Sequence, residues 1–212
     1  LQYVWTPYAD IDDENVRAMI LCNKAHTVML CEQKIISRQE AAKILGALRR
    51  LEKSAGNFPF DPAKGDLFFN VEAYVIEHAG PDVGGKMHIG RSRIDLIAAL
   101  MRLKVRKNLT RLLPLILRLQ DVILSRARDT IDVVMPAYTH LQPAQVTTFG
   151  HYLLAFHDAL TRDLRRLMNA FKSTNESPLG AAAASGTSWP LARARVAELL
   201  GFSAVVENTK DA

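Results

Sequence analysis

Apolar residues recur along most of the chain at steps of three and four, the spacing that lines one face of an α-helix. Between Glu14 and Gln33 the stripe is Val16, Met19, Ile20, Val28, Met29 and Leu30. A second stripe, Ala41, Ile44, Leu45, Leu48 and Leu51, follows Ser37-Arg38-Gln39-Glu40, in which Ser37 and Glu40 have the spacing of a capping box. The prolines of Asn57-Phe58-Pro59-Phe60-Asp61-Pro62 predict a loop. A third helix is expected from Asp66 to His78, closed by Gly80-Pro81.

Two longer helices are predicted beyond it. The first spans Ser92 to Thr130, with Leu96, Leu100, Leu103, Leu109, Leu112, Ile116, Leu119, Ile123 and Ile131 on its buried face. Pro114 should kink it by removing one hydrogen bond. The second spans Pro143 to Asn175, with Pro143 in its first turn. No strand is expected. Both helices far exceed the mean of about 12 residues, so the pattern predicts an all-α fold, an elongated bundle of long antiparallel helices. A smaller N-terminal helical domain is expected over residues 1–90, with 91–212 as the first part of a central long-helix bundle whose remainder, and a C-terminal domain, are expected to lie outside this chain.

Composition narrows this picture. The chain has 212 residues, 49% of them hydrophobic, enough to bury a sizeable core in one or two domains. No apolar run approaches the ~20 residues of a membrane span, so no membrane partner is expected. The opening LQYVWTPYADIDDE is polar and acidic, unlike a secretory signal. Cys22 and Cys31 are the only cysteines, and on one helix they would stand about 13 Å apart along its axis. That is too far for a disulfide, and no Cys or His spacing suits zinc. A reducing, cytoplasmic setting without a metal is expected. The net charge is +5, but RLKVRK, LTRLLPLILRL and RDLRRL place their bases as the wet faces of amphipathic helices. With only 7% aromatic residues, nucleic acid is not the expected partner, whereas a small anionic ligand is compatible.

Three segments do not read as packing. In His88-Ile89-Gly90-Arg91-Ser92-Arg93 a glycine and two arginines stand at a predicted helix start, where free N–H groups and the helix dipole favour a carboxylate or phosphate. Gly84-Gly85-Lys86 before it lacks the spacing of a Walker phosphate loop. The second segment, Tyr138-Thr139-His140-Leu141-Gln142, interrupts two helical patterns with donors, acceptors and a histidine able to move a proton near neutral pH. The other histidines considered, His26, His78, His151 and His157, suit structural roles satisfied by backbone carbonyls. The third segment, Asn175-Glu176-Ser177-Pro178-Leu179-Gly180 followed by Ala181 to Thr187, is rich in small residues that let backbone approach closely.

Taken in order, GGKMHIGRSRID, MPAYTHLQPAQ, NESPLGAAAASGTSWPLAR and GFSAVVENTKDA resemble the argininosuccinate lyase branch of the fumarase/aspartase superfamily. The resemblance covers nearly the whole chain. It implies a fumarase/aspartase-like fold, a homotetramer with active sites shared between subunits, and elimination of fumarate from an N-substituted aspartate without metal or organic cofactor. It implies that His140 is catalytic and that Thr139 contacts substrate. Ser92 and Arg93 would hold a substrate carboxylate, with Arg91, His88 and Gln142 as further substrate-binding candidates. Departures are visible too. Where the family reads HTGRSRND this chain reads HIGRSRID, with Ile89 for threonine and Ile94 for a substrate-binding asparagine; Tyr8 stands where a substrate-binding serine is common. Asp211-Ala212 falls inside a family motif, so the loop with the catalytic serine is expected to belong to a longer protein. Argininosuccinate is the leading substrate. The alternatives are a sister lyase for another N-substituted aspartate, of the ethylenediamine disuccinate type, and a crystallin-like structural member.

Overall fold

The computed structural model describes residues 13–54 and 57–212, so Tyr8 lies outside the described residues. The elements run α1 (Asp13–Glu32), α2 (Arg38–Lys53), α3 (Leu67–Ala79), α4 (Pro81–Gly84), α5 (Arg93–Asp129), β1 (Val134–Thr139), β2 (Gln142–Thr148), α6 (Phe149–Thr174), β3 (Glu176–Ser177), α7 (Arg193–Leu199) and β4 (Ala204–Val205). They divide into two compact units, one of residues up to Lys104 together with Asn175–Ala212, the other Val105–Thr174. The largely helical character expected from the apolar spacing is what the structure has, and α1, α2, α3 and α5 fall within a residue or so of their predicted bounds.

The first unit carries the main core. Ile20 and Met29 from α1, Ile44 and Leu48 from α2, Val71 from α3, Leu96 from α5 and Leu179 are fully buried together. Removing side chains of this size from water stabilises by roughly 1.5–3 kcal/mol each. The capping box forms as the sequence predicts: the Ser37 hydroxyl accepts from the Glu40 N–H at 3.2 Å, and the Glu40 carboxylate accepts from the Ser37 N–H at 2.7 Å. Asp66 caps α3 by accepting from the Phe69 N–H at 3.3 Å. The chain leaves α3 through Gly80 at φ +93°, a conformation that suits glycine. Later, β3 and β4 pair in parallel, Glu176 with Ala204 and Ser177 with Val205.

The second unit corrects the sequence reading in two places. β1 and β2 form an antiparallel hairpin over residues expected to be helix or link, and Pro143 sits in β2 opposite Tyr138 rather than in a helix turn. A two-stranded ribbon has outer edges that tolerate proline's missing N–H, and Val146-Thr147-Thr148 are β-branched residues that favour strand. Helix α6 begins only at Phe149, where the Thr148 hydroxyl accepts from the His151 N–H at 3.2 Å and supplies the cap. The Phe149 N–H donates to the Val133 carbonyl at 2.9 Å and closes the base of the hairpin.

Within this unit α5 and α6 run antiparallel. Gly150 lies so close to the Ala127 carbonyl that a Cβ there would stand 2.6 Å from its oxygen. Further along, the Gln120 amide donates to the Thr161 hydroxyl at 2.7 Å. The second correction concerns the predicted buried face of α5. Leu109 is buried, but Leu112, Leu119 and Ile131 are exposed by 42%, 49% and 65%. Within this unit α6 and the hairpin leave part of the stripe uncovered. The helix continues through Pro114.

Gly84 offers a direct test of the packing in the first unit. A Cβ there would stand 2.4 Å from the Ile76 Cα, whereas one at Gly85 meets nothing within 4 Å. Gly84→Ala is expected to cost about 1–3 kcal/mol in urea unfolding, as overpacking does. Gly85→Ala should be nearly neutral, and equal losses from both would contradict this close approach of α4 to α3.

Candidate functional site

The HIGRSR segment is built as a capped helix start. Residues Gly85–His88 form a 3-10 turn, the Arg91 N–H returns to the His88 carbonyl at 3.2 Å, and Gly90 takes φ +72°. The glycine is required twice over, because a Cβ would also stand 2.9 Å from Leu191 Cδ1. The Ser92 hydroxyl then accepts from the Ile94 N–H at 3.2 Å and caps α5. Arg93 Nη1 donates to Asp66 Oδ2 at 3.1 Å, and its guanidinium lies 5.4 Å from the centre of the Phe69 ring. Asp66 therefore uses one oxygen to cap α3 and the other to hold Arg93.

Arg91 goes inward. It is only 8% exposed, and its Nη2 donates to Asn23 Oδ1 at 2.8 Å and to the Met87 carbonyl at 2.9 Å. Its Nε and Nη1 have no hydrogen-bond partner among the described residues. Burial lowers its pKa to about 10, with Asp95 opposing that shift electrostatically. His26 Nε2 lies 2.8 Å from the Ile89 carbonyl, which can only accept, so Nε2 carries a proton. Burial first, and the Arg91 charge second, push its pKa well below 6.5. The same two causes bring His88 down to about 4, and its ring packs edge-on against Phe68 at 5.0 Å.

The small-residue segment meets this helix start. Asp95 Oδ2 accepts from the N–H of Ala182 at 2.9 Å and of Gly180 at 3.1 Å. Ala182 and Ala184 adopt φ +56° and +50°, unusual for residues with a side chain. Asp95 is 2% exposed, and burial raises its pKa against the pull of the Ala182, Gly180 and Ser92 N–H groups and of Arg91.

Thr139, His140 and Gln142 belong to the other unit, at the tip of the hairpin. Thr139 pairs with Gln142, and His140 and Leu141 form the two-residue turn at φ +50° and +65°. Positive φ at both central residues is the type I′ arrangement that matches strand twist. All four are exposed, Leu141 by 92%. A cavity of about 610 Å³ opens beside the strands, lined by Met135, Tyr138, Val146, His151 and Tyr152 among others, and none of Thr139, His140 and Gln142 lines it. Of the histidines expected to be structural, His26 and His78 do engage backbone carbonyls. His151 pairs with the Thr147 hydroxyl instead, and His157 with the Asp158 carboxylate.

Residues 8–212 match the sequence pattern of the lyase family Lyase_1. The chain belongs to that family of lyases. It is 44% identical over 202 residues to the argininosuccinate lyase of Haloarcula marismortui, covering 95% of this chain and 40% of the relative. It is 42% identical over 214 residues to that of Carboxydothermus hydrogenoformans, covering 100% of this chain and 45% of the relative. Among solved structures, EDDS lyase in complex with formate is 37% identical and superposes with a TM-score of 0.86 over 92% of this chain and 38% of that one. The chain thus spans less than half the length of these relatives.

Two carboxylates escaped the sequence reading, Asp66 and Asp95. A usable signal existed for the second: Asp95 lies three residues after Ser92, the interval of a capping box. No comparable signal marks Asp66 as the partner of an arginine 27 residues away.

The buried imidazoles make stability depend on pH. Unfolded, His26 and His88 take up protons near pH 6.5; folded, His88 resists until about pH 4 and His26 resists as well. The unfolded state binds more protons across that window, so their contribution is intact above pH 6.5 and falls as pH drops towards 4. Asp95 and Glu72, with carboxyls raised by burial, act in the opposite sense. His88→Gln should therefore flatten the decline in melting temperature between pH 6.5 and 4 relative to the unchanged protein. Identical slopes would mean that the imidazole is not held neutral.

Proposed function

We propose that the complete protein is a carbon–nitrogen lyase that eliminates fumarate from an N-substituted aspartate, with argininosuccinate as its substrate and arginine as the other product. The observation that carries this reading is the α5 helix start, where the Ser92 cap, Arg93 and the dipole of a 37-residue helix are gathered at one point. Such a point suits a carboxylate. The family membership and the 44% identity to an argininosuccinate lyase support the choice of reaction.

The chemistry asks for these groups. Breaking a C–N bond beside a carboxylate requires removal of a weakly acidic carbon-bound proton, with the electron pair held for a moment as a doubly negative carboxylate form. The leaving nitrogen must then gain a proton. Fixed donors facing the carboxylate lower the barrier to the first step because they are already oriented when the charge develops. Ser92 and Arg93 take that role, and exchange of Asp66 for a substrate carboxylate would keep Arg93 paired on both sides of binding. Arg91 and His88 complete the substrate-binding set, Arg91 through its buried charge. His140 carries the proton transfer, with Thr139 and Gln142 beside it to orient the substrate. Two free thiols, Cys22 and Cys31, fit a cytoplasmic setting.

One observation favours a second reading. Ile94, next to Arg93, is 52% exposed and cannot donate to a carboxylate. A substrate with an apolar linker at that point, such as the ethylenediamine disuccinate class, would suit it, and EDDS lyase is 37% identical.

The complete protein is further inferred to be a homotetramer with shared sites. Leu112, Leu115, Leu119 and Val122 are exposed at the three- and four-residue spacing of one helix face, and Phe156 of α6 is exposed as well; an apolar face of this kind suits burial against other subunits. Light scattering at micromolar concentration should give a tetramer; a monomer would sink the inference.

For the chemistry, His140→Asn is the informative variant, because asparagine tolerates positive φ and leaves the turn intact. It should lower turnover by ~100-fold or more, the scale for losing a positioned acid or base, with the assembly unchanged. Fumarate absorbance would be followed with argininosuccinate and then with other N-substituted aspartates. Release unaffected by the substitution would refute the role of His140, and release from none of them would refute the lyase reading.

A further inference from the structure

Asp95 has an unusual position. Its carboxylate is buried at the first turn of α5, three residues beyond the Ser92 cap, yet its Oδ2 is spent on a segment 85 residues later, accepting from the Gly180 and Ala182 N–H groups. Both donors are in left-handed backbone, at φ +88° and +56°. For Gly180 that conformation is free; for Ala182 it is not, and the N–H of this residue is the one that donates to Asp95 at 2.9 Å. Leu191 braces the same junction. A Cβ on Gly90 would stand 2.9 Å from it and one on Gly180 3.7 Å from it, so the HIGR turn and the Leu179–Ala182 turn press on one leucine. Nothing in the lyase reading uses Asp95, and no ordinary helix cap needs a second segment.

We propose that Asp95 is a positioning residue, whose carboxylate fastens the turn at residues 179–182 to the start of α5 and so fixes Ser92 and Arg93 in the orientation that receives a substrate carboxylate. The fastening is a local arrangement of the first unit. Its catalytic consequence rests on the proposed lyase function. Losing the carboxylate frees both amides, releases Ala182 from φ +56°, and leaves the Ser92 cap without the acceptor at the third position.

The test uses the complete protein with Asp95→Ala and Asp95→Asn. Hydrogen exchange is read by mass spectrometry, and fumarate release is measured per folded enzyme. In Asp95→Ala, exchange over residues 178–184 should accelerate at least tenfold while α1 and α2 keep their protection. The KM for argininosuccinate should rise at least tenfold, with kcat changing less. Asparagine retains a neutral acceptor of the same shape and should bring KM back to within threefold of the unchanged protein. A purely structural residue would lower the melting temperature without that split or rescue.

Unchanged exchange at 178–184, or unchanged KM in Asp95→Ala, overturns the proposal. Should Asp95→Ala fail to fold, the unchanged protein decides it. The Gly180 and Ala182 amides must then be as protected as the first turn of α5, and exchange at the rate of open amides overturns the fastening. If the unchanged protein releases fumarate from no N-substituted aspartate while the exchange results hold, the lyase reading fails and the fastening stands.

Discussion

Two opposite charges, Arg91 and Asp95, are taken out of water on either side of Ser92-Arg93, and the surrounding structure is arranged to make that tolerable. Burying an ion costs several kcal/mol even after relaxation. The two do not share a hydrogen bond, although each feels the other's charge. Arg91 is compensated by Asn23 and the Met87 carbonyl, and Asp95 by backbone N–H groups. That division explains an oddity of α1, whose buried face holds Asn23, His26 and Thr27 among its apolar residues. Asn23 is there because a guanidinium needs an acceptor, and His26 ties the same helix to the Ile89 carbonyl. The core of the first unit thus carries a polar seam leading to the helix start.

The arrangement also accounts for how Arg93 is kept ready. An arginine facing open water would sample many rotamers. Here Asp66 fixes one end through an ion pair that is partly shielded from solvent, and the Phe69 ring supports the guanidinium face. Asp66 can do this because α3 starts at the residue after it, which ties the placement of Arg93 to the cap of a different helix.

Legibility in the sequence followed the range of the physics involved. Helices α1, α2, α3 and α5 were readable because apolar spacing and caps are local, and Ser37 with Glu40 located a boundary almost to the residue. The hairpin was missed because Pro143 resembles a helix start when only its neighbours are considered, while its true partner, Tyr138, is across a turn. Leu112, Leu119 and Ile131 were expected to be buried because they continue the stripe of Leu96 and Leu109, but periodicity states which face is apolar and not what covers it. The HIGRSR segment was legible as a helix start, and α5 begins within it. That Arg91 points inward and Arg93 outward was not, since the difference depends on Asn23 and Asp66, far away in the chain.

The turn at the hairpin tip has a further consequence. Asparagine and glycine are the residues that sit in left-handed backbone at little cost, yet His140 and Leu141 occupy both positions. Each L-residue with a larger side chain held there sacrifices on the order of 1 kcal/mol, so the hairpin is less stable than its own backbone would allow. Any search for thermal robustness, by chance or by design, is drawn to this pair first, and a more durable protein won there would have given up the imidazole at its tip.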